Sequence, residues 1–496
     1  MNLKEVPLLF ESSRSGRRCI RHRGANRAFA IAGATSGRPS GLVAPLPASE
    51  LRKSPPALPE MGELDLVRHF TQLSQKNYAI TTQFYPLGSC TMKYNPLVND
   101  AVAASPVWAG LHPLQDEGEV QGALSLMHRL QTDLAAATGL PGVTLHPAAG
   151  AHGELTALMV LRAWLDERGE PDRRTILIPD SAHGTNPASC TLAGFKVKTV
   201  RSGADGLTDI DDLKSHLGPD TAGFMVTNPS TLGLFETRIA EICELVHQAG
   251  GKVYMDGANF NAIMGVARPG DFGIDMMHLN LHKSFSTPHG GGGPGSGPIC
   301  VTEELSKFLP NPMVVSDDEG YHFADLPQSI GRVRGFHAHF MVLVRAYAYI
   351  KALGDAGVRR VAENSVINAN YLRVKCNQDW RVPFDRICMH EFVARPTKQM
   401  RDAGVHTIDI AKRLIDLGYH PPTVYFPLVV NEAIMIEPTE TESRETLDAF
   451  AETMAQIAAE ARMGDKRLHA APTEMPVSRV DEARAVKDPQ LCFRCS

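Results

Sequence analysis

An α/β fold, with a mostly parallel sheet followed by a smaller α+β domain, is predicted by three features of this 496-residue sequence. Short apolar runs recur between Thr175 and Thr302, and segments of helical spacing lie between several of them. Strand and helix in alternation give a mainly parallel sheet covered on both faces. The runs end in small, polar or ionisable residues, as expected at the carboxyl edge of such a sheet, where ligands bind. After Phe340 the rhythm changes to long helices with isolated strands, and the chain exceeds the span of a single core.

The elements follow in order. Residues 1–60 are rich in Pro, Gly, Arg and Ser and read as an extended arm. A helix is expected over Leu64–Leu73, then a loop through FYPLGSCTMKYNP (Phe84–Pro96). Helices follow over Val120–Thr138 and Glu154–Arg168. The strands are TILIP (Thr175–Pro179), FKVKTV (Phe195–Val200), GFMVT (Gly223–Thr227), KVYMD (Lys252–Asp256), MHLNL (Met277–Leu281) and PICVT (Pro298–Thr302). Helices over Ile210–Leu217 and Thr237–Ala249 connect them. Two helices, Met341–Lys351 and Val358–Lys375, open the second part. It continues with strands Glu391–Ala394 and Ala433–Glu437 and helices Ile408–Leu417 and Glu442–Arg462. The expected division is an arm and loop region over 1–110, a large domain over 111–345, a small domain over 346–465 and a tail over 466–496.

Composition narrows the function classes. The chain is 43% hydrophobic and 21% charged with a net charge of −5. It lacks the basic stripe a nucleic-acid binder needs. No apolar run approaches the roughly 18 residues of a membrane span. Nine irregularly spaced cysteines, with no secretory signal, read as reduced thiols in a cytoplasmic protein. Cys492 and Cys495 have metal or redox spacing, but no second pair accompanies them, so they read as part of the tail. Ser12–Ser49 is arginine-rich and free of acids, as in transit peptides. Glu5, Glu11 and Leu8-Leu9-Phe10 read as mature sequence, so a cytoplasmic location is expected over organelle import.

The strand ends carry the chemistry. DSAHGTNPAS, NPSTLG and GANFNA follow the strands TILIP, GFMVT and KVYMD, and His282 and Lys283 follow a fourth, MHLNL. Asp256 and Lys283 lie 27 residues apart, one strand–connection–strand unit, and so fall at the same sheet edge. A lysine amine is a poor nucleophile until its environment frees it. The run GGGGPGSG (Gly290–Gly297) after Lys283 lets a ligand approach backbone. Pyridoxal phosphate (PLP) needs a lysine for its Schiff base and an acid at its ring nitrogen. PAAGAHGE (Pro147–Glu154) opens a helix with small residues, where Ala149, Gly150 and Ala151 would hold the phosphate. His152 in that turn would stack on the ring.

Other readings are weaker. A P-loop has its lysine after the glycines, whereas here the lysine precedes them. A dinucleotide fingerprint needs a helix next, but PICVT, a strand, follows. His278, His282 and His289 lack a known zinc spacing with a carboxylate, so no metal is expected. An Asp256–Lys283 salt bridge would be one polar strand end among four.

MDGANFNA and NLHKSFSTPHGGGGPGSGP closely resemble glycine dehydrogenase (decarboxylating), the P-protein family of the glycine cleavage system. HPAAGAHGELTAL, HGTNPAS, TNPSTLGLFE, SIGRVRGF, GYHPPTVYFPL and MIEPTETESRETLD resemble it too, and the match spans most of Leu51–Arg462. The start LLFESSRSGRR looks like the C-terminal-half subunit of the split bacterial form, which pairs with a homologous N-terminal-half subunit in an α2β2 heterotetramer. The resemblance implies a fold-type-I PLP enzyme. It would decarboxylate glycine, release CO2 and pass the aminomethyl group to the lipoyl arm of H-protein.

It further implies that Lys283 forms the Schiff base, Asp256 faces the pyridinium nitrogen and His152 stacks on the ring. Ala149, Gly150 and Ala151 would lie near the phosphate. Thr185 and Asn228 would meet the ring and its O3′, His282 would join the cofactor site, and Ser89, Cys90 and Thr91 would form its rim. Ser230, Phe260, Ser284, Ser286, His337 and His339 depart from the family pattern. Another PLP enzyme, an aminotransferase or lyase, remains open, as does a non-catalytic half that supports its partner.

Overall fold

The computed structural model describes residues 6–17, 48–50, 54, 57–289, 295–489 and 491. Gly290–Gly293, Cys492, Cys495 and most of the arginine-rich segment lie outside the described residues. The chain forms two compact units, one from Met1–Tyr78 with Glu474–Ser496, the other Ala79–Thr473. The first contains a helix, Glu63–Ser74, with an Arg17–Asp65 ion pair of 3.1 Å beside it. Everything below concerns the second unit.

Its main sheet has seven strands: β1 Gly142–Thr144, β2 Thr175–Pro179, β3 Lys196–Val200, β4 Thr221–Thr227, β5 Lys252–Gly257, β6 Met276–Leu279 and β7 Ile299–Val301. Their order is β1-β7-β6-β5-β4-β2-β3. β7 runs antiparallel to both β1 and β6, and the other pairings are parallel. The short β1 went unread because a three-residue GVT carries too little pattern.

Alternation along the strands builds two cores. Phe224, Val226, Val253, Met255, Met277 and Leu279 pack on one face with the helices Gln121–Thr138, Ile239–Gln248 and Phe340–Cys376. Met225, Tyr254, Met276 and Ile299 point to the other face, against Leu158, Leu161, Trp164 and Leu165 of helix Gly150–Glu167. Period two then puts Asp256 and His278 on the same face as Tyr254 and Met276, beneath the start of that helix.

A smaller antiparallel sheet orders β10 (Phe392–Ala394), β12 (Ile434–Ile436) and β11 (Thr423–Val424). Helices Thr407–Asp416 and Arg444–Arg462 cover it, with a core around Phe392, Ile436, Phe450 and Met454. A hairpin of β8 (Met313–Asp317) and β9 (Gly320–Ala324) was not legible in the sequence. The two helices expected after Phe340 are present within Phe340–Cys376, parted by a kink at Gly354 (φ 60°), where the backbone is non-helical. Glycine adopts that left-handed φ without a Cβ clash.

Gly257 keeps β5 and β6 together. A Cβ there would lie 1.9 Å from the His278 carbonyl oxygen. Gly257→Ala is expected to part the strands and destabilise the chain by at least the ~1–3 kcal/mol typical of overpacking, read as a fall in Tm.

Candidate active site

The carboxyl ends of β2, β4, β5 and β6 open into one cavity of about 330 Å³. Strand order reverses at β2–β4, so the chain itself leaves a crevice there. Asp256, Lys283, His282, Thr185, Gly150 and Ala151 line the cavity, as do Ser89 and Cys90. Ala149, His152, Thr91 and Asn228 do not line it.

Asp256 is almost wholly buried at the end of β5. Its Oδ2 accepts from Asn186 Nδ2 at 3.1 Å and its Oδ1 from the Ala258 N–H at 2.9 Å. Burial pushes its pKa up, but His278, these hydrogen bonds and Lys283 outweigh that and hold the carboxyl below its usual range. The carboxylate is therefore ionised. His278 Nε2 lies 3.5 Å from Asp256 Oδ1, and its Nδ1 meets Tyr254 Oη at 2.5 Å. This chain of polar groups fixes the orientation of the acid.

Lys283 sits in a short helical turn, Leu281–Ser284, directly after β6. Its Nζ donates to the Ser89 carbonyl at 2.7 Å. A second, buried lysine braces that turn: Lys93 Nζ donates to the Ser284 carbonyl at 2.9 Å and to Asn261 Oδ1 at 2.7 Å, and pairs with Glu440 at 3.0 Å.

Helix Gly150–Glu167 points its N-terminus at the cavity, and no side chain caps it. Its first N–H groups lack helical acceptors and its dipole favours an anion. Gly150 is needed for closeness, since a Cβ would stand 2.5 Å from Asn280 Nδ2. His152, expected to stack on a ligand ring, instead accepts the Ala148 N–H on Nδ1 at 3.1 Å. Helical spacing turns it back over its own loop. His183, from SAHGT after β2, lines the cavity with Lys283 and Asp256. Burial lowers its basicity and keeps the ring neutral. Its signal was present in HGTNPAS, but position alone did not single it out.

Among the described residues, buried polar atoms near the strand ends with no hydrogen-bond partner include Thr227 Oγ1, Asn228 Nδ2 and Asn186 Oδ1. Asn228 Oδ1 accepts the Glu236 N–H at 2.9 Å, which fixes the amide. Thr185 meets His183 Nδ1 through its hydroxyl at 2.5 Å. His282 is neutral, held down to about 3 by burial and by His289 and Lys283. His337 stacks on Phe323 at 4.1 Å, and neither His337 nor His339 lines the cavity. An amine, an ionised acid, an anion-ready helix end and unpaired polar atoms fit PLP.

Glu154 also lines the cavity and was given no role from sequence. Burial and the nearby Asp256 raise it from 4.5 to about 8. A raised acid favours the fold fully below its unfolded value and loses that advantage as pH rises through the folded one. Glu154→Gln, which stays neutral, should match the parent's Tm near pH 4.5 and exceed it progressively toward about 8. A parallel pair of Tm–pH curves would contradict this.

The family model described as glycine dehydrogenase, C-terminal domain, matches residues 361–475, and that described as aminotransferase class-V matches 154–328. A Lysinibacillus sphaericus (strain C3-41) protein named probable glycine dehydrogenase (decarboxylating) subunit 2 is 55% identical over 90% of this chain and 92% of its own. A Listeria monocytogenes serotype 4b (strain F2365) protein of the same name is 52% identical over 100% of this chain and 99% of its own. Among solved structures, a glycine decarboxylase (P-protein) in inhibitor-bound form superposes with TM-score 0.70 at 22% identity, over 83% of this chain and 93% of that one. A cysteine desulfurase from Thermococcus onnurineus gives TM-score 0.60 at 14% identity, over 76% and 95%. These last two show a shared fold, and the aminotransferase class-V match identifies it as the type-I PLP fold. With more than half its residues identical to relatives of nearly equal length, the chain belongs to the glycine dehydrogenase (decarboxylating) subunit 2 family.

Proposed function

We propose that this chain is the PLP-bearing subunit of a glycine dehydrogenase (decarboxylating), which removes CO2 from glycine in the glycine cleavage system. The observation that carries the proposal is the pairing of Lys283 with ionised Asp256 at neighbouring strand ends, opposite a helix N-terminus. When bound, the cofactor supplies an electron sink for the bond broken at the glycine α-carbon.

The chain's own residues do the rest. Lys283 would hold the cofactor through its amine. Asp256 would keep a proton on the ring nitrogen by opposite charge. The Gly150 and Ala151 end of the helix would hold the phosphate, together with Ala149. His183, which lines the cavity, would face the ring in the role expected of His152. Asn228 Nδ2 and Thr185 would serve the ring's oxygen, and neutral His282 adds no charge to the site. Loop 88–91 closes the rim and limits water.

The relatives' names carry the words subunit 2, so a first subunit is the partner. An α2β2 heterotetramer, transfer of the aminomethyl group to a lipoylated H-protein and a cytoplasmic location are part of this proposal. So is a division into a large domain over 111–345 and a small one over 346–465, whose border falls within helix Phe340–Cys376. Among the described residues no helix is long and apolar enough to cross a membrane.

Exchange of labelled bicarbonate into the glycine carboxyl, with both subunits and a lipoylated carrier, tests the activity. Exchange that requires this chain supports the proposal. Transfer of the glycine amino group to a keto acid without exchange would replace it with an aminotransferase reading.

A further inference from the structure

Behind the loop that meets Lys283 lie two acids with no assigned role. Glu391 precedes β10 and Glu437 follows β12, and Phe392 faces Ile436 across the antiparallel pair. One step further along the register, the two glutamates become neighbours. Both are fully buried. Each holds one backbone N–H of the loop: Glu391 Oε2 accepts from Ser89 at 2.7 Å, and Glu437 Oε2 from Thr91 at 2.9 Å. Ser89 (φ 65°) and Thr91 (φ 47°) both have left-handed backbone, which side chains disfavour. The two hydrogen bonds hold that strained form, and in it the Ser89 carbonyl faces Lys283 Nζ.

We infer that Glu391 and Glu437 are positioning residues for Lys283, pinning the Ser89–Thr91 loop and sharing one negative charge that matches the lysine's ammonium group. The inference rests on the reading of Lys283 as the amine that holds the cofactor. Two neighbouring buried carboxyls cannot both ionise, so one keeps a proton. Burial accordingly raises Glu437 to about 7, and burial with Glu437 raises Glu391 well above its usual value. The other titratable groups facing the pair are His390, Cys90, Glu440 and Cys388, whose thiol burial pushes up to about 12 and keeps neutral. His390 is neutral, held down to about 3 by burial and Lys283, so it adds no charge. Glu440 is matched by Lys93. Around Lys283 itself stand Asp256, Glu154, His183, His278, His282 and His289, of which only Asp256 is ionised at neutral pH; in the chain without cofactor its charge is common to the parent and every variant.

Trace labelling with acetic anhydride, read by peptide mass mapping on the full chain stripped of cofactor, tests this without reference to activity. Lys398, with an 83% exposed side chain, is the internal standard. Glutamine keeps an oxygen for each loop N–H but cannot ionise. E391Q or E437Q alone should leave Lys283 labelling near the parent rate, because the remaining acid carries the charge. The double variant should label Lys283 severalfold faster, because the ammonium form loses the pair's counter-charge and keeps only that of Asp256. An unchanged rate in a folded double variant, or equal additive steps from the two singles, would overturn the inference. Should the double variant not fold, amide exchange in E391A and E437A gives a second reading. Each should deprotect its own loop amide, at Ser89 or Thr91, and unchanged protection would overturn the pinning. His390, Glu391 and Glu437 offer ligand atoms within 4.8 Å of one another. A stoichiometric metal found in the purified chain would therefore overturn the shared-proton account.

Discussion

Lys283→Ala is expected to cut glycine decarboxylation by on the order of 10³-fold or more while leaving the chain folded. The argument has two parts. Among the described residues the side chain makes one hydrogen bond, to the Ser89 carbonyl, so its removal takes little from the fold. The reaction loses far more, because no other amine is free in the same place. Lys93, which braces the turn from the Phe84–Pro96 loop, is committed to Ser284, Asn261 and Glu440 and is almost fully buried. Circular dichroism and Tm should match the parent while CO2 exchange disappears. A variant with parent-level exchange would mean that Lys283 is not the cofactor lysine.

The largest stability effect is expected at Lys93 itself. Burial opposes its charge, yet Glu440 and Tyr349 keep it protonated. Lys93→Met leaves Glu440 buried without its cation and frees the Ser284 carbonyl and Asn261. Removing one partner of a buried pair typically costs about 3–5 kcal/mol. Lys93→Met/Glu440→Leu should cost less than Lys93→Met alone, since the second change removes the stranded charge. Denaturant unfolding of the three variants, analysed as a double-mutant cycle, checks both statements. The single variant should also bind PLP more weakly, because the turn carrying Lys283 loses its brace. Equal stability of parent and Lys93→Met would show that the buried pair does not hold this turn.

Much of the sheet was legible because its strands are runs of buried apolar residues closed by polar ends. TILIP and KVYMD fall where the periodicity puts them, as do the helices before and between them. The same alternation put Asp256 and Lys283 at one edge. The direction of β7 was not legible, because an apolar triplet such as Ile299–Val301 reads alike in either sense. The helix at Gly150 begins four residues before the expected Glu154, since AAGAH carries no capping side chain to mark a start.

That misplaced start also explains His152. A residue in the first turn follows the helix, and here its Nδ1 accepts the Ala148 N–H while the residue stays out of the cavity lining. His183 stands in a loop after β2 and reaches the cavity. Glu391 and Glu437 were hidden for a different reason. They lie 46 residues apart in sequence, inside strands that read only as small-domain core. Only the pairing of β10 with β12 brings them under the Ser89 loop. Sequence spacing reports neighbours along one element, and contacts between distant elements need the topology.

Borohydride reduction of the PLP-loaded chain, followed by peptide mass mapping, addresses the central claim most directly. The account predicts one pyridoxyl adduct, on the peptide containing Lys283, both with and without the partner subunit. An adduct on Lys93 or another lysine, or none under either condition, would contradict it.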